Sequence, residues 1–98
     1  MCTERTYVHE DIYDEFVDKL ILETAKYTVG DPRDSNSRLG AMCGKTHYEK
    51  VKEYFEHGLK NGYNVAGYGK TVLNLPEHCK NGYFLPPTVM KRIQIIKF

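Results

Sequence analysis

The segment Arg5 to Leu20 constrains this chain more than any other stretch. It opens with Thr6, Tyr7 and Val8, β-branched and aromatic residues whose run predicts a short strand. It continues with Ile12, Phe16 and Leu20 in one i, i+4 row, and Tyr13, Val17 and Ile21 in the row beside it. Two adjacent rows make a wide apolar stripe, so a helix from Ile12 to Tyr27 is expected to press against a core. Asp11 is the expected N-cap, because its carboxylate can accept from the unpaired amides of the first turn. A strand running straight into a helix opens an α/β unit.

The rest of the chain reads as a continuation of that unit. Gly30-Asp31-Pro32 is the expected stop for the first helix, and the polar residues 33–38 the loop after it. Thr46 and Glu49 have the spacing of a capping box at the start of a second helix. Tyr48, Val51, Phe55 and Leu59 form its apolar face, and Gly62 is expected in the C′ position. Tyr63 to Ala66 then predicts a strand leading into the Gly67-Tyr68-Gly69 turn. Residues 71–82 carry Pro76 and an Asn81-Gly82 turn signal and read as irregular. Pro86 and Pro87 would interrupt a central ladder, which puts the last strand at Thr88 onward. The class is α/β, in the order strand, helix, helix, strand, strand.

At 98 residues the chain is one domain or a piece of one. A formal net charge of +1, with no basic run, gives nothing to attract nucleic acid or an anionic membrane. No apolar run has the length of a membrane span, and residues 1–10 lack the apolar segment of a signal peptide, so a cytoplasmic setting is expected. Cys2, Cys43 and Cys79 are an odd number, without a C-x-x-C pair, which argues against a disulfide framework and a zinc site. His9, His47, His57 and His78 are too scattered for metal-ligand spacing, and no metal is expected. The triplets Gly44-Lys45-Thr46 and Gly69-Lys70-Thr71 invite a phosphate-loop reading. The position five before each first glycine is Leu39 or Asn64 rather than glycine, so both fail on spacing.

Six segments, in order, nevertheless resemble the aldehyde dehydrogenase superfamily. Cys2 to His9 is similar to the segment after the family's reactive cysteine, and Asp11-Ile12-Tyr13-Asp14-Glu15-Phe16 to its helix start. Val29-Gly30-Asp31-Pro32 with Asp34, and Leu39-Gly40-Ala41-Met42, resemble the next two signatures. His47, Lys50 and Val51 fit the following helix. Asn81-Gly82-Tyr83-Phe84 with Pro87-Thr88-Val89 resembles the G-Y-F-x-x-P-T-V motif. The likeness covers residues 1–90 as part of a catalytic domain and leaves 91–98 as an unmatched tail. The Gly40-Ala41 step and Leu75-Pro76 lean toward the branch acting on aminomuconic and hydroxymuconic semialdehydes.

The resemblance implies NAD- or NADP-dependent oxidation of an aldehyde to an acid through a cysteine thiolate, with the hard step divided in two. It places the reactive cysteine five residues before Arg5, one position upstream of Met1. The general base, the oxyanion-hole asparagine and the dinucleotide-binding domain are likewise implied upstream. The expectation is therefore an aldehyde dehydrogenase fragment with no catalytic residue of its own, inactive alone. His47 and Lys50 match positions that approach the nicotinamide ribose, and Met1 and Cys2 match positions lining the aldehyde pocket. A different class stays open: a non-catalytic domain that self-associates or pairs with a full-length relative.

Overall fold

Apolar residues recurring every three to four positions give two helices in the computed structural model, whose described residues are 3–92. Helix α1 spans Tyr13–Ala25 and helix α2 spans Lys45–Lys60. Two three-residue strands follow, β1 (Asn64–Ala66) and β2 (Val89–Lys91), paired antiparallel with Val65 opposite Met90. The segment Thr6-Tyr7-Val8 is not a strand: it runs without a partner, and Tyr7 is exposed. β-propensity describes fit to a pleated neighbour, and among the described residues no neighbour reaches it. The observed order is thus helix, helix, strand, strand, consistent with part of the larger α/β domain that the resemblance implies.

The helix ends differ from the expected caps. A 3-10 turn, Glu10–Ile12, precedes α1, and it is capped by His9, whose Nδ1 accepts from the Asp11 amide at 3.2 Å. Asp11 therefore sits inside a turn and supplies no N-cap. Gly30 does not end α1 either. The helix stops at Ala25, and Gly30 donates instead to the Leu39 carbonyl at 3.0 Å, beside a parallel bridge from Val29 to Leu39. At α2 the N-cap is Gly44, in extended backbone, and no side chain caps the turn. Thr46 lies two residues past the cap, inside the first turn, and Glu49 pairs weakly with Lys45 at 4.0 Å.

The end of α2 follows expectation. Gly62 takes a positive φ of 77°, its amide reaches Leu59, and the Tyr63 amide reaches Gly58 at 2.9 Å. Those two bonds are a Schellman motif, which satisfies the last carbonyls and turns the chain into β1. After β1, Gly67 at φ 113° lets the backbone fold under itself, with the Thr71 amide returning to Gly67 at 2.8 Å. Thr88 fastens this turn: its hydroxyl accepts from the Tyr68 amide at 3.1 Å and donates to the Pro86 carbonyl at 2.8 Å.

Burial is concentrated. Val65 is 1% exposed, Val17 7%, and Cys79 and Leu85 complete the buried apolar side chains among the described residues. Gly58 and Pro86 lie among the buried positions too. The radius of gyration is 15.0 Å, against about 13 Å expected of a compact chain of this length. The apolar stripe of α1 is consequently only half covered: Val17 is buried, while Ile12 and Phe16 face solvent.

Candidate functional site

Two groups of polar side chains stand out, and the sequence pointed to only one. His47 and Lys50 occupy the first turns of α2, three residues apart on one face, and both are exposed. Neither makes a hydrogen bond or an ion pair among the described residues. Their donors are thus free to meet hydroxyls or phosphates arriving from solvent. They line neither an open groove of about 490 Å³ at Asn61 to Asn64, Lys91 and Arg92 nor another of about 330 Å³ beside Asp31. Met1 and Cys2, the other expected contacts, lie outside the described residues.

The second group centres on Asp31. The Arg33 amide donates to Oδ1 at 2.9 Å, its Nε donates to the same oxygen at 3.2 Å, and its Nη2 donates to Oδ2 at 3.0 Å. His78 Nε2 approaches Oδ2 to 2.6 Å. Arg33 first, and His78 second, hold the Asp31 carboxyl well below the usual carboxylate range. Cys79 follows His78 in a 3-10 turn, Glu77–Cys79, and is buried. One donor atom each from Asp31, His78 and Cys79 lie within 4.8 Å of one another. Sequence spacing could not show this, because the carboxylate and the imidazole are 47 positions apart. The signal that was present is the Gly30-Asp31-Pro32 turn, read for its glycine and proline and not for its acid.

The Gly82-Tyr83-Phe84 stretch acts as packing. The Met42 amide donates to the Tyr83 carbonyl at 2.7 Å, and the Tyr83 ring lies 5.5 Å from that of Tyr48 on α2. Tyr68 likewise serves the interior. Its ring packs 5.3 Å from Phe55 and its hydroxyl donates to Glu56 at 2.8 Å. Burial first, and the Glu56 carboxylate second, push its phenol up to about 12. A phenol so held is a hydrogen-bond donor and no proton shuttle at neutral pH.

Comparison with known proteins gives a family for this arrangement. The sequence pattern described as "Aldehyde dehydrogenase family" matches residues 1–95. The chain is 38% identical over 95 residues to the 2-aminomuconic semialdehyde dehydrogenase of Homo sapiens, covering 96% of this chain and 20% of that protein. It is 39% identical over 92 residues to the 5-carboxymethyl-2-hydroxymuconate semialdehyde dehydrogenase of Escherichia coli, covering 91% and 19%. A D-glyceraldehyde dehydrogenase (NADP(+)) of Picrophilus torridus matches at 36% over 93 residues, covering 95% and 18%. The chain spans about a fifth of the length of these curated relatives.

Proposed function

The chain belongs to the aldehyde dehydrogenase family, and we propose that it contributes the stretch after the nucleophile to NAD(P)-dependent oxidation of a semialdehyde to a carboxylic acid. The observation that carries this reading is the family match over residues 1–95. The names of the human and bacterial semialdehyde relatives support the substrate class. A bound nicotinamide nucleotide would supply the hydride acceptor. His47 and Lys50 fit such a group: both are exposed, unpartnered within the described residues, and spaced to donate side by side to one ribose. In this reading Met1 and Cys2 line the aldehyde pocket. They shape access for the carbonyl and do not attack it.

The same reading makes the 98-residue chain inactive alone. Its buried core is too small to organise a pocket that excludes water. The test is aldehyde-dependent NAD(P)H formation followed by absorbance. None is expected from the purified chain, and turnover abolished by Cys2→Ser would overturn the assignment of Cys2 to the pocket wall.

The half-covered stripe of α1 favours a second reading, a non-catalytic piece that associates with its own kind or with a full-length relative. A pull-down against a full-length aldehyde dehydrogenase separates the two. A specific complex without activity supports association, and its absence leaves the first reading alone.

A further inference from the structure

The strongest unassigned feature is the meeting of three different donor atoms at the junction of two turns. Asp31 offers a carboxylate, His78 an imidazole and Cys79 a thiol, all within 4.8 Å of one another. We propose that these three residues bind a divalent cation of the zinc class, which clamps the 31–38 turn onto the Glu77–Cys79 turn.

The donor set selects the kind of ion. Calcium and magnesium demand oxygen ligands, whereas zinc accepts oxygen, nitrogen and sulfur together. Tetrahedral zinc holds its donors roughly 3.5 Å apart, given metal–ligand bonds of about 2.0–2.3 Å. The Asp31–His78 pair, now 2.6 Å apart, must open by roughly an ångström, and separations as long as 4.8 Å must close by about as much, shifts that side-chain rotation in two surface turns can supply. Three protein ligands leave a fourth position for water. The ion has a route in, since His78 is 56% exposed and the groove beside Asp31, lined by Asp34, Ser37, Leu73 and Pro76, is open.

Arg33 is the opposing element, and it makes the proposal discriminating. Its guanidinium already neutralises Asp31, occupying the electrostatic place that a cation takes. Its side chain is 79% exposed, so it can withdraw into water, but it holds Asp31, 12% exposed, at both oxygens, and the cation must displace that two-point pairing. Arg33 and the cation therefore compete for one carboxylate. A structural reading of the cluster, an ion pair holding two turns, predicts no such competition.

The experiment is titration of the full 98-residue chain with cobalt(II) under reducing, chelator-free conditions. The expected result is a thiolate-to-cobalt charge-transfer band together with visible bands of tetrahedral intensity. The charge-transfer band disappears in Cys79→Ser and survives in Cys2→Ser and Cys43→Ser. His78→Gln changes an exposed side chain, leaves the fold intact, and weakens binding by at least about tenfold, since even outer partners of metal ligands are worth that much. Arg33→Ala tightens binding. Absence of the band in the wild-type chain overturns the site, as does a band that follows Cys2 or Cys43. Indifference to His78→Gln overturns the three-residue ligand set, and indifference to Arg33→Ala overturns the competition.

Discussion

The two helices of this chain have similar apolar patterning and different fates. Helix α2 runs into a Schellman turn, a strand and a glycine turn, and that unit surrounds Val65 completely. Helix α1 buries Val17 and rests on the end of β2 through light contacts. The Tyr13 hydroxyl reaches the Arg92 carbonyl at 3.4 Å, and Lys91 lies 3.5 Å from Asp14 and 5.3 Å above the Tyr13 ring. The contrast teaches that periodicity says which side of a helix can be buried, while the supply of partner surface decides how much of it is. For α2 the partners are local, within thirty-odd positions along the chain. For α1 they are few.

The largest expected effect falls on the closed half. Gly67→Ala places a methyl group against the Pro87 carbonyl and 2.9 Å from the Thr88 hydroxyl, at a φ of 113° that side chains rarely adopt. The expected cost is on the order of 2–3 kcal/mol, read as lost hydrogen-exchange protection in β1 and β2. Unchanged protection there would show that the turn does not govern the half it closes. Val65→Ala comes next. It removes two carbons from the most enclosed side chain, for about 2 kcal/mol. The matching change in the open half, Val17→Ala, costs about 1.5 kcal/mol and affects exchange in α1 only. Equal losses at both positions would break the comparison.

A pH titration sharpens it further. The Tyr68 phenol is pushed up to about 12 in the folded chain, against an ordinary value near 10. The folded state therefore keeps a proton that the unfolded state releases, so the stability it contributes is full below pH 10 and is lost as pH rises from 10 to about 12. Between pH 9 and pH 11, which reaches only part of this window, the fall is expected to be smaller than the Val65 loss and confined to the α2 side. Urea unfolding at pH 9, 10 and 11 checks it, with Tyr68→Phe as the variant that flattens the slope. An unaltered slope in that variant assigns the effect elsewhere.

Much of the closed half was legible from the residues. Gly62 as a helix stop, the Gly67-Tyr68-Gly69 turn and a strand after Pro86-Pro87 all follow from backbone rules that act within a few positions. The caps were not. Thr46 and Glu49 have the right spacing, yet the N-cap is Gly44, two residues earlier, and a capping box displaced by two positions satisfies nothing. Asp11 lost its place because the chain turns earlier: His9, not itself a common cap, caps a 3-10 turn that contains Asp11, and its ring accepts from the Asp11 amide. Thr6-Tyr7-Val8 has strand chemistry without a strand, since pairing is a property of two segments. The Asp31 cluster was invisible for the same reason: its members are joined by the fold and not by spacing.

The smallest expected effect on stability is the most informative about the open half. Phe16 stands at 36% exposure in a row with Ile12, at 53%, so it is covered in part by the chain and in part offered to water. Phe16→Ser should lower the unfolding free energy by about 1 kcal/mol, in proportion to the covered part. Its effect on association should be larger. A contiguous apolar row facing water favours self-association and the binding of hydrophobic dyes, which predicts weakly cooperative unfolding and concentration-dependent assembly in the wild-type chain. Phe16→Ser should lower both dye fluorescence and the sedimentation-derived association constant while leaving far-ultraviolet helicity in place. A sharp two-state transition from a wild-type monomer would show that α1 needs no further partner. A loss of helicity in the variant would place Phe16 in a contact the structure does not contain, and the contrast between the two helices would then rest on Val17 alone.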